Sequence, residues 1–537
     1  MNQIMTGGNA VIGSLIEAGV KTIFGIPGGH SMALYDALVD ERRIRHVLGR
    51  HEQGLGFMAD GYARSSGQVG VLTTTSGPAV ANLACALGQA TTDNSPVLAI
   101  SSTVRTDLVG KNKGGLHDLG ESLEIMRPVC RHVRRCLRVE EIAPTIHELL
   151  GLLKTSRAGG AYCEIPADIL GATGNVDLTL PKDPEPLQAD SAKLDKATEL
   201  LNRAKRPLIW AGTGCVLSGA GEILVRLAEQ LDAIVMTSTL GRGVVPSRAN
   251  YFMLADGVLH TEVNDVVAEA DVVLAVGTMF KQEDTADWQT KINGQLIHID
   301  IDPEEINRSY PADLGIVADA RSALEGLMDR MGKGNSTQSN WIDRAKVAES
   351  AHLTRRREQS PVEMQLLDIL AKESGDDAIL VCDRCNLGYW AYRTLPRQQA
   401  RTFQYPMGYG GLGGALSQAI GAKLARPEVP VVCVIGDGGF QFTGPELAVA
   451  VQENIPIIIV LCNNGAYGAI RSVQDRFYDG RRFGIDLWNP DFTRLFDAYG
   501  IPACQADNPQ AFQTAFKEAL HANELRMIEL TMDLIDP

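Results

Sequence analysis

Short apolar runs, each ending in glycine or a small polar residue, alternate with helix-like segments along almost the whole chain. Apolar runs of four to eight residues between helices mark strands buried on both faces, and their alternation with helices implies parallel sheets with crossover connections. Three such blocks are visible. In the first, "KTIFGIPG", "GVLTTTSGP" and "PVLAISS" predict strands, separated by the predicted helices "HSMALYDALVD", "EQGLGFMADGYARSSG" and "AVANLACALGQATTD". The Pro-, Gly- and Asp-rich stretch at 171–190 predicts a linker. The second block opens on "SAKLDKATELLNRA" and "RPLIWAG" and fades near residue 332; the polar stretch 332–360 predicts another linker with some helix. The third runs from "PVEMQLLDILAKE" to the end. With 537 residues the chain exceeds what one core supports. The expected fold is α/β, three doubly wound parallel-sheet domains over 1–170, 190–332 and 360–537.

Charge narrows the partners. The net charge is −15 with no long basic run, which argues against nucleic acid or an anionic membrane as partner. No apolar stretch approaches 18 residues, and the first basic residue is Lys21, so neither a membrane span nor a secretory signal start is expected. The expected location is cytoplasmic. Ten scattered cysteines do not form a disulfide framework. The pair Cys382–Cys385 has no second Cys or His cluster beside it, so two thiols flanking a loop are expected rather than a zinc or redox site.

The chemistry concentrates in "VPVVCVIGDGG" and "IPIIIVLCNN". Each is a buried-type strand that ends in a polar residue, with one helix length between them. Ligands of open α/β sheets sit at the carboxyl ends of strands, so Asp437 and Asn464 should meet at one sheet edge. A carboxylate, an amide oxygen and a nearby backbone carbonyl suit Mg²⁺ or Ca²⁺, with diphosphate oxygens and water completing the shell. Gly436, Gly438 and Gly439 allow the sharp turn and present backbone NH groups to a diphosphate.

This arrangement resembles the thiamin diphosphate motif, which begins Gly-Asp-Gly and ends in Asn. The resemblance assigns the Asp437 and Asn464 side chains and the Ala466 carbonyl to the metal. It makes Glu52, in "RHEQGLGFMADGYAR", the carboxylate that activates the cofactor's aminopyrimidine. Leu412, in "YPMGYGGLGGAL", falls where a hydrophobic residue wedges between the two cofactor rings. The blocks would then be pyrimidine, central and diphosphate domains. The resemblance covers nearly the whole chain, and "FGIPGG", "TSGPAVANLACAL", "IHIDIDP" and "FYDGR" are similar to acetolactate synthase large subunits. It implies a homodimer or homotetramer in which Glu52 of one subunit faces Asp437 of the other.

Departures point to a different branch. His30 stands where acetolactate synthases have Ala, His117-Asp118 replaces their Phe-Gln pair, and Val473 replaces their tryptophan. The combination is closer to the 5-guanidino-2-oxopentanoate decarboxylase-like branch, and the Gly-x-His position also resembles benzaldehyde lyase. His30 and His117 are therefore the expected proton-handling groups. Asp118 is expected either to orient His117 or to meet a cationic substrate group.

In the middle block, Gly212, Gly214 and Gly219 in "WAGTGCVLSGAG" form a turn where acetolactate synthases hold FAD. "LADGVLHTE" and "GTMFKQEDT" depart from the family's flavin-contacting segments, so FAD stays open. The expected function is decarboxylation or carboligation of a 2-oxo acid through an enamine. Acetolactate synthase is the alternative. A flavin or nicotinamide oxidoreductase, or a silent binding subunit, would leave Glu52 and the Asp437–Asn464 pair unexplained.

Overall fold

A computed structural model of the chain describes residues 2–182, 185–254, 262–332 and 340–535. Its architecture is three parallel sheets with helices on both faces. The first sheet orders its strands Arg45–Leu48, Thr22–Gly25, Gly70–Thr74, Val97–Thr103, Gly160–Pro166 and His132–Arg135. The second runs Ile234–Thr237, Pro207–Ala211, Val272–Val276, Gln295–Asp300, Leu314–Val317. The third runs Phe403–Gln404, Ile379–Cys382, Val431–Gly436, Ile458–Cys462, Arg526–Leu530, Ala503–Ala506. Every pairing within these three sheets is parallel.

The apolar runs are continuous because both faces are covered. In the first sheet Phe24 and Leu72 face one core while their neighbours Ile23 and Val71 face another. The same alternation divides Val431 and Cys433 from Val432 and Val434 in the third. One core is shared between the first and third sheets and is bridged by two helices, Glu52–Ser66 and Gly414–Ala425. These helices approach backbone to backbone. A Cβ at Gly61 would collide with the Gln418 carbonyl, and one at Gly421 with that of Met58.

Two stretches read as linkers contain structure. Within 171–190, Thr173–Asp177 pairs antiparallel with Asn2–Thr6 and ties the N-terminus down. Within 332–360, Trp341–Gln359 is a helix whose buried positions Trp341, Ala345, Ala348 and His352 recur at helical spacing. Trp341, Ala345 and Ala348 join the core of the middle sheet. The polar composition concealed this single apolar stripe.

All three domains meet at Asp93. Its buried carboxylate accepts hydrogen bonds from Arg64 at 3.1 Å, from Lys281 of the middle domain at 2.5 Å, and from the Gly408 NH of the third at 2.8 Å. Burial opposes its ionisation, but Lys281 and Arg64 outweigh that and hold the carboxyl below its usual range. Its contribution is therefore present above about pH 4 and is lost as pH falls through the depressed native value. Asp93→Ala should cost about 3–5 kcal/mol, because it strands buried cations. Thermal unfolding at pH 7 checks this, and an unchanged midpoint contradicts it.

Candidate active site

Register explains why a carboxylate and a carboxamide end two successive strands. Val431–Gly436 pairs with Ile458–Cys462, with Gly436 opposite Cys462, so Asp437 and Asn464 leave the sheet side by side. On the other flank Cys382, the last residue of its strand, pairs opposite Val434, two residues before Gly436, which sends Asp383 through Asn386 to the same edge. A cavity of about 200 Å³ opens there, lined by Leu412, Gly436, Asp437, Gly438, Gly439, Asn464 and Ala466 together with Asn386 and Tyr467. Six residues expected to hold a cofactor diphosphate and its metal, and Leu412, expected between the cofactor rings, thus line one cavity.

Each polar group is oriented. Asp437 is the first residue of the helix Asp437–Thr443 and is buried, which pushes its carboxyl pKa up. Asn489 donates to Asp437 Oδ2 at 2.7 Å and to Asn463 Oδ1 at 3.0 Å. Asn464 Oδ1 accepts from the Ala466 NH at 3.2 Å, and its Nδ2 donates to Asn386 Oδ1 at 3.2 Å. The glycines are required by space: a Cβ on Gly438 would lie 2.8 Å from the Tyr467 ring, and one on Gly439 2.9 Å from the Asp383 carboxylate.

Leu412, half-buried, precedes Gly413, whose φ of +82° suits glycine. The Gly413 NH donates to Asp383 Oδ2 at 2.8 Å and its carbonyl accepts from Thr443 Oγ1 at 2.6 Å. Burial raises the Asp383 pKa to about 6. Cys382 and Cys385 are buried free thiols, as expected of a loop flank. Among the described residues no group of three or more His, Cys, Asp or Glu side chains could hold a metal. A cation at Asp437 would therefore draw on amide, carbonyl and ligand oxygens, which is the donor set present.

The second cluster lies at the carboxyl edge of the first sheet, where the segments after four adjacent strands converge. Glu52 begins the helix Glu52–Ser66, and the ring of the preceding His51 caps it by accepting from the Gln53 NH at 3.1 Å. Asn82 donates to Glu52 Oε2 at 2.9 Å. Beneath this turn sits Glu446 from the third domain, which accepts from the His51 NH at 2.9 Å and the Arg50 NH at 3.2 Å. Burial lifts its pKa to about 7. It anchors the Glu52 helix to the segment that follows Asp437.

His30 and His117 come together across this edge, their ring centroids 5.4 Å apart. Ser76 lies between them. His117 adopts a left-handed φ of +63°, a conformation costing a non-glycine residue about 1–2 kcal/mol. It is pressed against Gly77, where a Cβ would lie 2.7 Å from the His117 Cβ. Burial, and then the neighbouring His117, lower the His30 pKa. Asp118 makes no hydrogen bond to His117. Its Oδ1 accepts from the Gly120 NH at 2.9 Å, and its Oδ2 is buried without a partner. Neither Glu52 nor the histidines line the Asp437 cavity of the same chain. Val473 is exposed on the helix Gly468–Phe477 that follows Asn464.

In the middle domain, a Cβ on Gly212 would collide with the Gly277 carbonyl, and one on Gly214 would lie 2.7 Å from the Gly277 Cα. Gly219 has a φ of +67°. Backbone packing therefore accounts for these glycines without a nucleotide. "GTMFKQEDT" supplies interdomain ties instead: Lys281 to Asp93, and Glu283 to Arg384. Most of "LADGVLHTE", residues 255–261, lies outside the described residues.

Sequence reading missed Ser76, Asn82, Asp383, Asn386, Glu446 and Asn489. Only Asn386, directly after the Cys-x-x-Cys pair at a strand end, carried a local signal.

Comparison with known proteins shows the family. Residues 5–125, 194–327 and 383–530 match, in turn, the N-terminal TPP binding, central and C-terminal TPP binding domains of thiamine pyrophosphate enzymes. A Pseudomonas aeruginosa protein named probable 2-ketoarginine decarboxylase is 35% identical over 98% of this chain and 94% of its own length. The acetolactate synthase isozyme 3 large subunit of Escherichia coli K12 is 31% identical over 99% of this chain and 95% of its own. The probable acetolactate synthase large subunit of Methanocaldococcus jannaschii is 31% identical over 98% and 92%. Matched in all three domains and along nearly its whole length, the chain belongs to the thiamine pyrophosphate enzyme family.

Proposed function

We propose that the protein is a thiamin diphosphate- and Mg²⁺-dependent decarboxylase of a 2-oxo acid larger than pyruvate, with 5-guanidino-2-oxopentanoate the leading substrate. The observation that carries this reading is the register that gathers Asp437, Asn464 and Ala466 around one glycine-lined cavity. When bound, the cofactor supplies an electron sink for the pair released as CO₂ leaves. The chain supplies placement and proton transfer. Asp437, Asn464 and the Ala466 carbonyl would hold Mg²⁺ on the diphosphate, with Asn489 and Asn386 fixing the side-chain ligands. Glu52, with one oxygen held by Asn82, would hold a proton at the aminopyrimidine. Leu412, fixed through Gly413 by Asp383 and Thr443, would support the cofactor's bend.

His30, kept neutral at pH 7 by burial, and His117 would move the substrate's proton. Glu52 does not line the Asp437 cavity of its own chain, which supports a site formed between two subunits of a homodimer or homotetramer.

The substrate reading rests on Asp118, whose buried Oδ2 has no partner and lies next to His117 in sequence. A guanidinium would satisfy it through a charge-assisted hydrogen bond. Asp118→Asn should then raise KM for 5-guanidino-2-oxopentanoate about tenfold or more while leaving KM for an uncharged 2-oxo acid unchanged. Equal effects on both substrates would contradict the assignment.

Acetolactate synthase remains the second reading, favoured by the relatives of that name. Product analysis with pyruvate beside a panel of larger 2-oxo acids separates the two. Aldehyde and CO₂ from a larger acid, with pyruvate inert, supports decarboxylation. Acetolactate from pyruvate overturns it.

A further inference from the structure

Ser76 follows the strand Gly70–Thr74 and is 1% exposed. Its Oγ lies 2.6 Å from His30 Nδ1 and 3.4 Å from His117 Nδ1. A hydroxyl carries one proton and two lone pairs, so it can donate to at most one of these nitrogens and accepts from at least one where both contacts are hydrogen bonds. The 2.6 Å separation lies in the range of O–H donors and below the usual range of N–H donors. The shorter contact suits the hydroxyl as donor to His30 Nδ1, which leaves the His117 Nδ1–H to donate to the hydroxyl.

We infer that Ser76 is a positioning residue that locks His30 and His117 into opposite tautomers, His30 carrying its proton on Nε2 and His117 on Nδ1. This rests on the reading of the two histidines as proton-handling groups. Two imidazoles with independent tautomers would each favour the same form. Coupled through one hydroxyl, they divide the work: His117 offers an unprotonated Nε2 as base, and His30 offers an Nε2 proton as acid. The chain also conducts. When His117 takes a proton at Nε2, its Nδ1 proton passes to Ser76 Oγ, the hydroxyl proton passes to His30 Nδ1, and His30 releases its Nε2 proton. No charge is left behind.

The strained backbone of His117 fits this role. Its left-handed φ and its contact with Gly77 place the ring beside Ser76, on a loop that could otherwise adopt easier conformations.

The test is long-range ¹H–¹⁵N correlation on histidine-labelled full-length protein at pH 8, read with and without thiamin diphosphate and Mg²⁺. Signals are assigned by their loss in His30→Gln and His117→Gln. The expected result is an Nε2–H pattern for His30 and an Nδ1–H pattern for His117, with both becoming Nε2–H in Ser76→Ala. In turnover, Ser76→Ala should lower kcat about tenfold or more with KM little changed. Identical tautomers in the wild-type protein, or a Ser76→Ala spectrum unchanged at both rings, would overturn the inference. Opposite tautomers combined with full turnover in His30→Gln and His117→Gln would instead sink the proton-handling reading and leave the coupling standing.

Discussion

Glu52→Gln is expected to lower kcat by about two to four orders of magnitude while leaving the fold intact, the scale set by losing one well-placed acid–base group. That corresponds to about 3–5 kcal/mol of transition-state stabilisation. The fold should survive because the substitution is isosteric and the helix start keeps its cap. The His51 ring still accepts from Gln53, and the Gln oxygen can still accept from Asn82. Glu446 still holds the Arg50 and His51 NH groups from below. On the proposed role, what would be lost is the carboxylate and its exchangeable proton at the aminopyrimidine. Steady-state turnover beside circular dichroism checks both halves, and full activity would contradict the role of Glu52.

Asp437→Ala should abolish Mg²⁺-dependent cofactor binding, weakening it about a hundredfold or more, since even outer residues around metal ligands cost 10–100-fold. Among the described residues Asp437 is the only acidic side chain lining the cavity. The amide oxygen of Asn464 and the Ala466 carbonyl would remain, without a charge to offset stripping water from the cation. Calorimetric titration of thiamin diphosphate with and without Mg²⁺ reads this directly. Unchanged affinity would refute the metal assignment.

Much of this was legible before the structure because parallel sheets translate order along the chain into position in space. A ligand-type residue at the end of an apolar run must land at the carboxyl edge, and the helix between two runs makes those strands neighbours. That logic led to Asp437 and Asn464, which line one cavity, and the resemblance led to Leu412 in the same lining and to His30 and His117, whose rings meet, as well as to Glu52. It could not find Ser76, which sits in an unremarkable "TSGP" and matters only because loops after separate strands converge on it. Glu446 and Asp93 were invisible for a similar reason. Their partners lie in other domains, and nothing in the residues beside them announces a buried interdomain carboxylate. The helix Trp341–Gln359 was obscured differently, by a narrow buried stripe within a strongly polar segment.

Glu52 does not line the cavity around Asp437 in its own chain, so the proposed site would draw the two residues from two chains. The decisive measurement is CO₂ release by protein co-expressed as differently tagged Glu52→Gln and Asp437→Ala chains, compared with each variant alone. In a mixed dimer one site would carry both substitutions and the other neither. Random pairing then predicts recovery to about a quarter of wild-type activity from two inactive parents. No recovery, with mixed oligomers demonstrated by their two tags, would contradict a site shared between subunits.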